Sequence, residues 1–241
     1  MRASAFPVTS VLSRSRQRGN PAGASGLPFR TDGIGAAAPA GAPAAIKRGM
    51  DIVLALLALV VLLPVLVVLA GLVKATSPGP VLFVQQRLGR GGRPFALLKF
   101  RTMHAHLADR SGFVQTIEGD PRVTPFGRWL RRYYLDELPQ LLNVLAGQMS
   151  LVGPRPHVAA MQAGGIAYQD LMPCYGQRWA VRPGLSGWAQ VNFYCGPTGD
   201  AAKAIARIEH DIAYIQNFSI RLDIRIMLLT VGRLVFSGSG C

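Results

Sequence analysis

Carboxylates are scarce in this chain. Asp and Glu supply 12 of its 241 residues against 26 Lys and Arg, which leaves a net charge of +14. That balance argues against a cationic partner and for an anionic one: nucleic acid, an acidic lipid surface or a phosphorylated substrate. Cysteine is nearly absent as well. Cys174, Cys195 and Cys241 are an odd number without a C-x-x-C pair. They indicate neither a disulfide framework nor a zinc site, and they favour a reducing compartment for the soluble part. The four histidines (His104, His106, His157 and His210) form no H-E-x-x-H pattern, and the H-A-H at 104–106 reads as a solvated loop or helix. Aromatic residues make up 8% of the chain and do not interleave with the basic ones, so a nucleic-acid partner ranks last among the anions. Residues 1–30 lack the apolar core that a secretory signal requires, and no internal repeat is visible.

What is present falls into blocks. The length suits one ordinary domain with appendages. Residues 1–45, with "GIGAAAPAGAPAA", are rich in Ala, Gly and Pro, offer little to bury, and read as a disordered basic leader. Residues 46–74 read as a membrane segment, because Ile52 to Val73 holds 22 residues without a charge. As a helix that run is roughly 33 Å long, enough to cross a bilayer core. Pro64 sits at its middle and favours a kink. Lys47 and Arg48 precede the segment, while Lys74, Arg87, Arg90 and Arg93 follow it, so both flanks compete for the cytoplasmic side. A re-entrant helix resolves that conflict; hydropathy alone favours a simple span, since kinked spans are common, and the residues leave the choice open.

Residues 75–237 read as a mixed α/β domain, mainly α with a short β-hairpin, and 238–241 as a tail. Val81–Gln85 and Phe95–Phe100 have β-like composition around a Gly/Arg turn. Helical spacing follows, with Trp129, Leu130, Tyr133 and Tyr134 on one face, and Leu138, Leu141, Leu142 and Leu145 on another. A long Gly/Pro-rich region then leads to helices at about Ala201–Asn217 and Ile220–Phe236. The last is too short and too charged to span; its options are the membrane interface or ordinary packing.

Within "RRYYLDELPQLLNVL", Asp136 and Glu137 stand adjacent in a chain that has few acids to place. One account is a helix start, since acids suit the positive end of a helix and Pro139 is tolerated only in a first turn. A second is chemistry: a carboxylate can bind Mg²⁺ beside substrate phosphates, or attack phosphorus and divide one displacement into two. Adjacent helical residues point about 100° apart, so the two acids have different jobs. Cations lodged in apolar or Gly/Pro-rich segments suit a phosphate-bearing substrate: Lys99, Arg101, Arg131, Arg132, Arg155 and Arg182.

From Ile46 to Phe236 the chain resembles the bacterial sugar transferases, the monotopic polyprenyl-phosphate phosphoglycosyl transferases. The likeness rests on "KRGMDIVLALLALVVLLP" (47–64), "KFRTM" (99–103), "DPRVTPFGRWLRR" (120–132), "LDELPQLLNVLAGQMSLVGPRP" (135–156), "VRPGLSGWAQVN" (181–192) and "HDIAYIQNFSIRLDI" (210–224). The resemblance implies transfer of a sugar 1-phosphate from a UDP-sugar to polyprenyl (undecaprenyl) phosphate, with release of UMP. This would be the first membrane step of exopolysaccharide or related glycan synthesis. It implies that Asp136 is the nucleophile of a covalent phosphosugar intermediate, with Glu137 its partner, and that the pair supports Mg²⁺. Lys99, Arg131, Arg155 and Arg182 match positions that hold substrate phosphates. The family's membrane helix is re-entrant and kinked at a Pro matching Pro64, and its catalytic domain lies with interfacial helices on the cytoplasmic face of the inner membrane. Partners implied are the UDP-sugar, the polyprenyl phosphate, membrane lipid and the glycosyltransferases that take the product, with no nucleic acid; self-association is left open.

Two departures from the family pattern stand out: Tyr133 and Tyr134 replace a small polar pair, and Cys195 stands where Arg is frequent. The following "GPT" (196–198) resembles the branch that uses UDP-hexoses. The larger members carry upstream membrane helices and a further domain, so the chain resembles the short form. The competing reading is a non-catalytic basic protein of the membrane surface, in which the acid pair only caps a helix.

Overall fold

The computed structural model describes residues 39–236 except 110, 113 and 160. The tail and nearly all of the expected leader lie outside the described residues. Helix α1 spans Gly41–Thr76 and so begins inside the stretch assigned to the leader. It continues through Pro64 as one helix.

Most of α1 is exposed, with Val53, Leu57, Val60, Val61, Leu63, Val67 and Val68 all open. Its covered residues form one stripe at helical spacing: Asp51 and Ala55, then the part-buried Ala58, Leu59 and Leu66, then Leu69 and Val73. Ala55 packs with Phe95, Leu97, Leu141, Val144 and Met149. Leu69 and Val73 pack with Phe100 and Leu130. Both ends of the apolar segment therefore seat on the same body of protein.

That body is mixed α/β, and about half of the described residues are helical. Strands β1 (Leu82–Leu88) and β2 (Pro94–Phe100) pair antiparallel, Leu82 opposite Phe100 and Leu88 opposite Pro94, around the turn Arg90–Gly92. The hairpin was legible from sequence, though β1 runs three residues beyond the Gln85 expected as its end. Helix α2 (Pro125–Arg132) starts where Thr124 accepts the Gly127 N–H at 2.9 Å, with Pro125 in the first turn.

The helical pattern then breaks. Tyr134 takes a left-handed conformation (φ 54°), Leu135–Glu137 form a 3₁₀ turn, and helix α3 covers only Gln140–Leu145. The two expected apolar faces are corrected accordingly. Leu130 is fully buried while Trp129 and Tyr133 are exposed, and Leu141 is buried while Leu142 is exposed. Trp129 and Leu130, like Leu141 and Leu142, are helical neighbours that point about 100° apart, so one of each pair meets the core and the other does not.

Inside the Gly/Pro-rich region, two three-residue strands, β3 (Ser150–Val152) and β6 (Gly184–Ser186), pair in parallel. A Cβ on Gly184 would lie 2.1 Å from the Gly153 nitrogen, so the two segments meet backbone on backbone and glycine is required there. A two-residue hairpin, β4 (Gln162–Ala163) with β5 (Ile166–Ala167), leads to the short helix α4 (Tyr168–Leu171). Helices α5 (Ala201–Gln216) and α6 (Ile220–Phe236) close the fold at the positions their periodicity predicts. The largest core gathers Ile208, Ile212 and Tyr214 of α5, Ile226 of α6, Tyr168, Trp188 and Val152. Helix α6 buries Leu222, Asp223 and Ile226 and leaves Ile224, Leu228, Val231 and Leu234 exposed.

Candidate active site

Strand alternation and one asparagine bring the site together. Phe95, Leu97 and Lys99 share a face of β2, and the first two pack against Leu141 and Val144 of α3. Asn143 docks α3 onto β2. Its Oδ1 accepts from the Leu98 N–H (3.0 Å), and its Nδ2 donates to the Ala96 carbonyl (2.7 Å) and to Gln148 Oε1 (2.6 Å). With α3 fixed on β2, the 3₁₀ turn just before α3 places Glu137 beside Lys99.

Lys99 Nζ donates to Glu137 Oε1 at 2.7 Å. Arg155, which follows β3, grips the same carboxylate with two nitrogens, Nη2 to Oε1 at 2.6 Å and Nη1 to Oε2 at 3.3 Å. Glu137 is buried, a position that opposes its charge. The charges of Arg155 and Lys99, and their hydrogen bonds, overcome that penalty and hold its pKa well below the usual carboxylate range. Asp136 behaves in the opposite way. It is 6% exposed, and no hydrogen bond or ion pair of its carboxylate occurs among the described residues. Burial raises its pKa. Lys99, Arg131 and Arg155 attract the charged form, and Glu137 repels it. A 3₁₀ turn separates consecutive side chains by about 120°, so adjacent acids meet different surroundings. One is neutralised by contact, and the other is desolvated with cations nearby.

Arg131, in the last turn of α2, donates from Nε to Thr102 Oγ1 (2.7 Å) and acts on both acids through space. The sequence-predicted residues Asp136, Glu137, Lys99, Arg131 and Arg155 are thus gathered. Arg182 is not among the groups acting on either acid; its Nε donates to the Gly147 carbonyl at 2.7 Å. Arg101 is buried and donates to the Pro78, Ser77 and Val73 carbonyls, closing the end of α1. The expected helix start at the acids is corrected to a 3₁₀ turn, with α3 opening three residues beyond Glu137.

Residues that sequence reasoning missed stand behind the cations. Arg178 donates from Nη2 to the Arg155 carbonyl (2.8 Å) and from Nε to Asp211 (2.9 Å). Its Nη1 lies 2.9 Å from His157 Nδ1. Arginine only donates, so Nδ1 is the acceptor in that contact. Burial and the Arg178 charge hold the His157 pKa well below its ordinary value. Arg87 is half-buried close to Arg155, and its pKa is lowered to about 10 by desolvation and by that neighbour. The only cue was Asp211 within the motif "HDIAYIQNFSIRLDI"; Arg178 and Arg87 carry no spacing signal.

For Mg²⁺ the donor set fits in a limited way. Among the described residues no three His, Cys, Asp or Glu converge. Two adjacent carboxylates completed by substrate phosphates and water are nevertheless the ion's usual protein site. Glu137 already meets two cations, so Asp136 offers the oxygen donors that are not ion-paired.

Several proteins are similar to this chain. The exopolysaccharide production protein PSS of Rhizobium leguminosarum bv. phaseoli is 51% identical over 195 residues, 81% of this chain and 98% of that protein. The undecaprenyl-phosphate glucose phosphotransferase of Komagataeibacter xylinus is 46% identical over 191 residues, 79% of this chain but 36% of its own length. The UDP-N-acetylgalactosamine-undecaprenyl-phosphate N-acetylgalactosaminephosphotransferase of Aeromonas hydrophila is 42% identical over 207 residues, 86% of this chain and 47% of its own. The chain therefore spans nearly all of the first relative and less than half of the other two. The model of the bacterial sugar transferase family matches residues 42–237, and with relatives this similar the chain belongs to that family.

Proposed function

We propose that this protein transfers a hexose 1-phosphate from a UDP-sugar to undecaprenyl phosphate and releases UMP, with Asp136 as nucleophile. The observation that carries the reading is the division of labour between the two acids. Glu137 is held charged by Lys99 and Arg155, while Asp136 is desolvated, engaged in no ion pair among the described residues, and surrounded by the cations that a diphosphate would meet. A desolvated carboxylate is a stronger nucleophile than a hydrated one, provided a bound substrate keeps it ionised.

The chemistry runs in two displacements. An Asp136 oxygen attacks the sugar-bearing phosphorus, the bond from that phosphorus to the bridging oxygen breaks, and UMP leaves with the electron pair. A phosphate oxygen of the polyprenyl phosphate then attacks the same phosphorus. The acyl phosphate bond breaks, Asp136 is restored, and the polyprenyl diphosphate sugar departs to later glycosyltransferases. Lys99, Arg131 and Arg155 neutralise the phosphates in both steps. Mg²⁺, held by Asp136 and Glu137 together with the diphosphate, would add charge neutralisation there. The glucose named for the Komagataeibacter relative supports a UDP-hexose donor, and the Aeromonas relative keeps N-acetylhexosamines in the test.

The site is read as lying on the cytoplasmic face of the inner membrane, with α1 dipping in and returning. Support comes from α1 itself. Residues before Pro64 (Ala55) and after it (Leu69, Val73) pack on one domain, an arrangement that a segment with its ends on opposite sides of a bilayer does not favour. In this reading residues 75–237 form the catalytic domain, and the open side of α6 lies at the interface. The test is incubation of the membrane-embedded full chain with Mg²⁺, undecaprenyl phosphate and a panel of UDP-sugars, following UMP. Release with one donor is expected. No release from a folded protein returns the chain to the non-catalytic, membrane-surface reading.

A further inference from the structure

Arg182 lies apart from the acid pair, and it has cationic company. It lines an open cleft beside the start of α1, together with Lys47, Arg48, Asp51 and Arg90. Arg182 is anchored by its Nε on the Gly147 carbonyl, a bond that leaves its two terminal nitrogens uncommitted to that partner. Arg48 is anchored at the same place, its terminal nitrogens donating to the Val144 and Leu145 carbonyls at 2.7 and 3.0 Å. Arg90, in the β1–β2 turn, is exposed and makes no hydrogen bond or ion pair among the described residues.

Asp51 is the one acid on the cleft wall, and it is already engaged. It accepts from Ser150 Oγ (2.8 Å) and the Leu151 N–H (3.1 Å), and it pairs with Lys47 at 3.6 Å. Lys47 is itself bound to Asp223 at 2.6 Å. Three guanidinium groups from three separate segments therefore share the cleft, and among the described residues no carboxylate hydrogen-bonds or ion-pairs with any of them. Burial, with the charges of Arg48 and Arg90, lowers the Arg182 pKa, and the through-space attraction of Asp51 does not cancel that shift. Guanidinium forks suit phosphate oxygens, which accept from several at once.

Position selects the source of the phosphate. Lys47 and Arg48 sit immediately before the exposed apolar run of α1 that begins at Ile52. A helix buried to that point holds the cleft level with the phosphates of the bilayer surface. We propose that Arg48, Arg90 and Arg182 form a second phosphate-binding cleft, separate from the acid pair, that takes the headgroup of an anionic phospholipid. The bound lipid would fix how the domain sits on the membrane.

The test uses the full chain in neutral detergent, titrated with phosphatidylglycerol, phosphatidylcholine, inorganic phosphate or undecaprenyl phosphate, with thermal unfolding and native mass spectrometry as readouts. Phosphatidylglycerol is expected to raise Tm and to remain bound where phosphatidylcholine does not. Arg90→Gln, which changes an exposed turn residue, is expected to weaken phosphatidylglycerol binding by about fivefold, the worth of one basic residue at an anionic surface. Arg182→Lys, keeping charge but not the fork, is expected to weaken it less, and Asp136→Asn not at all. Equal effects of the two phospholipids, or wild-type phosphatidylglycerol affinity in Arg90→Gln, would overturn the proposal. Inorganic phosphate reproducing the whole effect, or undecaprenyl phosphate displacing the phospholipid in an Arg90-dependent way, would reassign the cleft and overturn it too.

Discussion

The Arg178 guanidinium donates to the backbone carbonyl of Arg155 across 2.8 Å, so one arginine sets the position of another. Arg155 is the residue that grips Glu137 with two nitrogens, and Arg178 is in turn fixed by Asp211 and His157. The charge beside the acid pair is thus held by a buried support that makes no contact with either acid among the described residues.

Replacing that support has two expected consequences. Arg178→Gln leaves Asp211 buried without its ion pair and costs about 3–5 kcal/mol, read by denaturation in detergent. Arg178→Lys keeps a charge but loses the three-way fork. It is expected to fold, with KM for the UDP-sugar raised more than kcat is lowered, because Arg155 is displaced rather than removed. An unchanged KM in folded Arg178→Lys would contradict the positioning role.

Asp136→Asn is expected to abolish transfer and to stabilise the protein at neutral pH. The folded-state pKa of Asp136 is raised, so its penalty is absent below the unfolded carboxylate pKa and full above the folded one. Removing the charge should raise Tm by about 2–4 °C near pH 7, the shift that about 1 kcal/mol produces in a domain of this size. The difference should vanish below about pH 4. A Tm lowered at neutral pH would show that the Asp136 charge is structural.

Glu137 has the opposite sign. Its depressed pKa contributes stability that is present above the unfolded value and is lost as pH falls through the folded one. Acid unfolding should therefore steepen below about pH 4 in the wild type and flatten in Glu137→Gln. That variant leaves Lys99 and Arg155 facing a neutral amide, and its expected cost at pH 7 is about 3–5 kcal/mol. Identical acid profiles for the two proteins would remove Glu137 from the account of stability.

Topology can be tested at Pro64. With a re-entrant α1, labels at Gly41 and Arg90 both stay protected from a reagent on the periplasmic side. Pro64→Leu restores the missing helical hydrogen bond, and it should expose Gly41 in a measurable fraction of molecules. Exposure of either label in the wild type would contradict the re-entrant reading.

Much of this architecture was legible in residue order. The apolar run of α1 and the periodic α5 and α6 carry their own signals over many residues. The hairpin has a turn that names it. The helix start expected at the acids lies three residues further on, at Gln140, because nothing in "RRYYLDELP" marks Tyr134 as left-handed or Leu135–Glu137 as a 3₁₀ turn. That conformation ends α2, resets the phase and turns Glu137 toward Lys99. The parallel pair β3–β6 escaped because three-residue strands in Gly/Pro-rich sequence have no alternation to read. Arg178 and Asp211 lie far apart along the chain, and only the fold joins them. The acid pair was conspicuous because acids are rare here; its buried support had no such contrast.

The central claim is that Asp136 becomes covalently bonded to the sugar-bearing phosphorus. The direct measurement is incubation of the full chain with Mg²⁺ and a UDP-sugar that supports turnover, labelled with ³²P at the phosphorus next to the sugar, without undecaprenyl phosphate. Acid quenching and peptide mapping then locate the label. The account predicts about one UMP released per active molecule, label on the peptide containing Asp136, its discharge on adding undecaprenyl phosphate, and no label in Asp136→Asn. Label on a different residue, or full turnover by Asp136→Asn, would contradict it.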